Sequence, residues 1–120
     1  MKILNKKEAS LLQEKEVAKS IGGQVQIASG GLSHNAGDVI KDNWFFECKT
    51  VVSEKNSYSI KKSVIDKAKE QCFEQMKDYW ALVFRFAPKD KDYYVIDSDT
   101  FKHIINCVNY CDKNGVDVCE

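Results

Sequence analysis

The chain has 120 residues, of which 43% are apolar, 30% charged and 11% aromatic, with eighteen basic and eighteen acidic side chains. Such a composition suits one globular domain over residues 1–120 and excludes a disordered chain. Apolar runs such as residues 79–87 fall far short of the roughly eighteen residues a bilayer span needs, and the first ten residues lack a signal-peptide core, so a cytoplasmic, intracellular protein with no membrane partner is expected.

Taken in chain order, residues 6–21 place Ala9, Leu11, Leu12, Val17, Ala18 and Ile21 on one helical stripe, with Gly22 as the stop. Residues 24–28 alternate as a strand, and a glycine-rich loop follows. Residues 38–41 and 44–51 flank the dipeptide Asp42-Asn43 as a hairpin. After a polar loop, Val64, Ile65, Ala68, Cys72 and Met76 take helical spacing behind Ser63 as N-cap. Strands over 80–87 and 93–97 come next, separated by a turn at the single proline, Pro88. A last helix over about 99–112, capped by Ser98 and closed by Gly115, completes an order αβββαββα. The expected class is α/β, a mixed sheet flanked by helices.

The hairpin poses the chemical question, because a two-residue loop makes facing residues sum to 85 and therefore sets Asp38 opposite Glu47. Facing like charges destabilise a sheet unless something positive offsets them. Strand alternation brings Lys49 to the same side and turns Cys48 to the other, leaving its carbonyl at the strand edge. Two carboxylates and a carbonyl form a hard oxygen site suited to Mg²⁺, with Mn²⁺ as a substitute. Beside such an ion a lysine can position or deprotonate an attacking water, which is the chemistry of phosphodiester hydrolysis. Each acid taken singly reads as a solvated surface group; their shared register inside an apolar hairpin sets that reading aside.

The sequence Gly37-Asp38, then eight residues, then Glu47-Cys48-Lys49 resembles the PD-(D/E)XK nuclease superfamily, with Gly37 where a proline often stands. Residues 14–23, 28–31, 37–39, 47–49 and 57–63 are similar to small phage- and prophage-encoded nucleases of the Holliday junction resolvase type. The resemblance implies a restriction-endonuclease-like αβββαβ core with an extra C-terminal strand and helix. It implies Asp38, Glu47 and the Cys48 carbonyl as metal ligands and Lys49 as the catalytic lysine. A first-helix glutamate should complete the site, Glu14 fitting best, with Glu16 and Glu8 as lesser choices. Ser29 matches a loop serine near the scissile phosphate.

The resemblance thus implies a Mg²⁺-dependent, structure-selective DNA endonuclease acting on branched or four-way DNA. Its alternatives are a restriction-like or nicking nuclease without junction selectivity, a silent DNA-binding module on the same fold, or a protein-binding module. Zero net charge weighs against strong phosphate capture, but residues 1–70 carry twelve lysines against nine acids, so a polyanion partner is permitted. Lys61, Lys62, Lys67 and Lys69 are candidates for a backbone-binding surface, and His34 for a phosphate contact. Symmetric cleavage of two strands would require a homodimer. His103, Cys107 and Cys111 recur at helical spacing, but the drift of about 40° per four residues sets them too far apart for one zinc. Five cysteines at irregular spacing fit free thiols.

Overall fold

The first helix, α1 (Lys6–Ile21), is set by its ends. The Asn5 side chain accepts from the Glu8 backbone N–H at 2.8 Å, and the Glu8 carboxylate accepts from the Asn5 N–H, so two otherwise unpaired donors are satisfied reciprocally. Gly22, at φ +70°, closes the helix in a left-handed conformation that costs a residue without Cβ little. This description rests on a computed structural model, which describes residues 5–26, 38–51, 56–86 and 91–115.

Beyond α1 come β1 (Gln24–Val25), β2 (Val39–Lys41), β3 (Trp44–Val51), α2 (Lys62–Glu74), β4 (Tyr79–Phe86), β5 (Asp92–Val95) and α3 (Ser98–Asn114). They form one five-stranded mixed sheet in the order β1-β2-β3-β4-β5. Every neighbouring pair is antiparallel except β3 and β4, which α2 connects as a parallel pair. The protein is therefore α/β with helices flanking a mixed sheet, as the sequence leads one to expect. Among the described residues no helix is long and apolar enough to cross a membrane.

Strand alternation splits the core into two layers. On the α1 side Val17, Ala18, Val39, Phe46, Ala81 and Val83 pack together, while on the α2 side Phe45, Ala68, Cys72, Trp80 and Leu82 do so. Odd positions of β3 face α2 and even positions face α1. Asp42, at φ +50°, makes the tight turn between β2 and β3. Lys41 faces Trp44, Ile40 faces Phe45 and Val39 faces Phe46, the register the two-residue loop dictates.

Several boundaries differ from expectation. The second helix starts at Lys62 with Lys61 at the N-cap and no side-chain cap bond, so Ser63 lies inside it. Met76 does not join its apolar stripe: the helix ends at Glu74, and Met76 sits exposed at φ +56°. Asp97, not Ser98, caps α3, accepting from the Thr100 N–H at 2.8 Å. Of the strand expected over 24–28, the described part is Gln24–Val25, prolonged by a bond from the Gln26 N–H to the Asp38 carbonyl at 2.7 Å.

The largest departure is on α1, where Gln13 is fully buried and Leu11 is half-exposed. Gln13 accepts from the Thr50 hydroxyl at 2.7 Å and donates to the Val83 carbonyl and to Asp92, each at 3.3 Å. Beside it the buried Arg85 holds Asp92 through two bonds of 2.8 and 2.7 Å and reaches Glu16 at 2.6 Å. A paired polar network replaces an apolar contact there, clamping α1 to β3, β4 and β5. That clamp fixes how α1 is rolled, and with it the direction of Glu14.

Candidate functional site

Past Asp38, β3 continues through Cys48–Val51, with β4 as its partner strand among the described residues. This part of β3 forms one wall of a cleft of about 480 Å³, lined among others by Lys6, Ser10, Glu14, Asp38, Glu47, Cys48, Lys49, Tyr58 and Lys67. From α1 come Lys6, Ser10 and Glu14, and from the α2 side come Tyr58 and Lys67. The strand itself supplies Glu47 and Lys49. Three acids and three lysines thus meet across the sheet flank.

Asp38 and Glu47 are each only 6% exposed. Their carboxyls are close enough to share a hydrogen bond, which requires a proton on one of them. Burial, followed by that bond and the charge on Glu47, raises the Asp38 pKa well above the usual carboxylate range, so the buried pair favours sharing one proton. Glu14 is pushed up to about 7, first by burial and then by the charge on Glu47. Lys49 Nζ lies 3.2 Å from Glu47 Oε1 and remains 39% exposed. Desolvation, with smaller contributions from Glu14, Asp38, Asp92 and Glu47, raises the Cys48 thiol pKa and disfavours a thiolate.

One oxygen on each of the three acids, Glu14 Oε1, Asp38 Oδ2 and Glu47 Oε2, is buried without a hydrogen-bond partner among the described residues. Buried acceptors are rarely left so, and a bound cation is one of the recognised partners of such groups. No three His, Cys, Asp or Glu side chains among the described residues stand in ready metal-holding geometry. The donor set nevertheless fits a hard divalent cation, since Mg²⁺ commonly takes one or two carboxylates and completes its shell with water.

The expected residues divide by position. Glu14, Asp38, Glu47, Cys48 and Lys49 meet in the cleft, while the Cys48 side chain packs toward the α1 layer. Glu8 belongs to the cap of α1 and Glu16 to Arg85, which leaves Glu14 as the first-helix acid of the cleft. Of the lysines, Lys67 lines the cleft, and Lys62 is bound to Asp66 at 2.7 Å. Lys69 is exposed and does not line the cleft; its charge adds a little to the Thr100 bonds that hold Asp97 below its ordinary pKa. Lys61 is exposed at the start of α2. Ser29 and His34 lie outside the described residues. His103 and Cys107 are 3.7 Å apart on α3 and do not line the cleft, and His103 is stacked on Tyr79.

Lys6, Ser10, Tyr58 and Thr50 are cleft residues that the sequence reading did not single out. A signal for two of them was present: Lys6 and Ser10 precede Glu14 by eight and four residues, a single helical face. Tyr58 carries no such mark, since its place depends on how the segment before α2 folds back on the sheet.

A pH prediction follows from Glu14. Its folded pKa of about 7 exceeds the ordinary 4.5, so the folded state binds more protons between those values. Its stabilising contribution is complete below the lower value and is lost as pH rises through the upper one. With chelator present, melting temperature should fall across that window, and less so in Glu14→Gln. Excess Mg²⁺ should restore the loss at the upper end by binding the folded state. Thermal melts of both proteins over a pH series check this; coincident curves would refute it.

No protein-family model, curated protein or solved structure matches this chain.

Proposed function

We propose that this protein is a divalent-metal-dependent DNA endonuclease with a restriction-endonuclease-like αβββαβ core, acting on branched DNA of the junction type. A single observation carries the reading: Glu14, Asp38 and Glu47, each with a buried carboxylate oxygen that has no partner among the described residues, line one cleft together with Lys49. A purely structural ion pair would not leave three acceptors unmatched, because each such group costs about 1–3 kcal/mol. The element order and the parallel β3–β4 pair are compatible with that core.

Asp38 and Glu47 would hold Mg²⁺ or Mn²⁺ together with the Cys48 carbonyl, and Glu14 would complete the acidic wall. When bound, the ion lowers the pKa of a coordinated water and offsets charge on a phosphoryl oxygen. Lys49 Nζ, already at the solvent-facing side of Glu47, donates to the attacking water or to a phosphoryl oxygen and so orients the two for in-line attack. Lys67 and Lys6 flank the cleft where the sugar-phosphate chain would enter. Cutting two strands symmetrically needs a second copy about a two-fold axis, and the exposed Phe101, Ile105 and Val108 of α3 are candidates for that contact.

The test incubates purified protein with a labelled four-way junction, a linear duplex and a single strand, each with Mg²⁺ and with chelator. Cleavage that needs Mg²⁺ and favours the junction is expected. Equal cutting of junction and duplex would support the nicking or restriction-like alternative, and no Mg²⁺-dependent cutting would sink the nuclease reading. Lys49→Ala should reduce turnover about 100-fold or more while leaving the melting temperature within a few degrees, as expected for a half-exposed side chain.

A further inference from the structure

Outside the acidic wall, the cleft is lined by Tyr58, the first ring of an aromatic stack that the proposed chemistry does not use. Tyr58 lines the cleft and lies on Phe84, with ring centroids 4.9 Å apart and planes 20° from parallel. Phe84 in turn lies beside Tyr93 at 5.5 Å and 25°. Phe86 closes the group edge-on, 5.6 Å from Phe84 and 6.4 Å from Tyr93. The register explains the row: Lys49 faces Phe84 across β3 and β4, and Phe84 faces Tyr93 across β4 and β5, all on the α2 side. Aromatic rings thus run from the lysine of the cleft to the outer strand, where Tyr93 is 45% exposed.

Packing alone explains Phe84, which is sandwiched. Tyr58, at the end of the stack, packs against the α2-side core and also lines the cleft beside the carboxylates. Among the described residues the cleft's lysines, Lys6, Lys49 and Lys67, face three acids, Glu14, Asp38 and Glu47, so its side chains by themselves offer little net positive charge. Phosphate attraction scales with the net positive charge offered, so a contact to the base would add affinity that these side chains do not supply. Stacking on an aromatic face contributes substantially for every base and needs no sequence readout. In a continuous duplex each base is already stacked on both sides and cannot reach a wall residue.

Resting on the nuclease reading, we propose that Tyr58 is a base-stacking residue, and that the cleft takes DNA whose nucleotide next to the bound phosphate is unpaired. The substrate class is then a single strand, a flap or a splayed branch point. Phe84 and Tyr93 act as positioning residues that hold the Tyr58 ring upright.

The test measures binding with Ca²⁺ in place of Mg²⁺, a hard cation for the same oxygens, so that affinity is read apart from turnover. Fluorescence anisotropy compares a single strand, a flapped duplex and a fully paired duplex. Tyr58→Leu should weaken binding of the first two about ten-fold and leave the duplex unchanged, whereas Tyr58→Phe should bind like the parent. Because Tyr58→Leu also removes core contacts, a second arm leaves the protein unaltered: an abasic site is walked along the flap, and a ten-fold loss is expected at one position. Equal loss on duplex and flap, or no position sensitive to base removal, overturns the proposal. If Mg²⁺-dependent cleavage persists in that case, the nuclease reading survives and only the stacking role fails. If no DNA is cleaved yet the abasic effect is present, the stacking role stands and the nuclease reading fails.

Discussion

Replacing Asp38 by asparagine should abolish Mg²⁺-dependent cleavage, by a factor on the order of 10³ or more, and yet make the metal-free protein more stable near neutral pH. A thousandfold loss corresponds to about 4 kcal/mol of transition-state stabilisation, which is the scale expected when a ligand that fixes the ion and its water is removed. The gain in stability has the opposite origin. Asp38 and Glu47 are buried together, and burial with mutual repulsion raises the Asp38 pKa, so the pair favours holding one proton. Asparagine keeps the shape and can donate its amide N–H to Glu47 without a charge, so about 1 kcal/mol should be recovered at neutral pH. Single-turnover cleavage and chemical denaturation with chelator are the two measurements. A variant that keeps its turnover dismisses the site; one that loses both turnover and stability shows that Asp38 serves the fold and not a metal.

Arg85→Ala should be the most damaging single change to the fold, costing about 3–5 kcal/mol, a large part of what a domain of this size has in reserve. Arg85 is only 4% exposed and forms two hydrogen bonds to the half-buried Asp92. Its hydrogen bonds to Asp92, and after them the bond to Glu16, hold its guanidinium pKa above the ordinary value against the opposing effect of burial. Truncation strands Asp92, and Gln13, which donates to the same carboxylate, loses its anchor. Because Gln13 adjoins Glu14 on α1, the variant should also bind Mg²⁺ less tightly than its residual fold would suggest. Urea denaturation and metal titration followed by melting temperature check both parts. Glu16→Ala should cost far less, under about 1 kcal/mol, since that carboxylate is half-exposed.

Much of the architecture was legible because local rules act alone in the places that mattered. The stop at Gly22 and the two-residue turn at Asp42-Asn43 need no tertiary information, and the turn carries the pairing of Asp38 with Glu47 as a consequence. Where the reading failed, a longer-range effect prevailed over a local one. Leu11 looks like a core residue by spacing, but the polar network around Arg85 needs Gln13 on that face, and the helix rolls accordingly. Ser63 is a good cap by chemistry, yet α2 begins before it.

The sequence by itself determined the order of elements, the hairpin register and the meeting of two acids with Lys49, since each depends on spacing and on the period-two alternation of a strand. Only the tertiary structure decided that Glu14, and neither Glu8 nor Glu16, joins them, because that choice depends on the roll of α1 against three strands through Gln13 and Arg85. It alone also placed Tyr58 and Lys67 at the cleft while leaving Lys69 outside it. Contacts between residues distant in the chain are fixed by packing, and packing has no period that can be read along one strand of sequence.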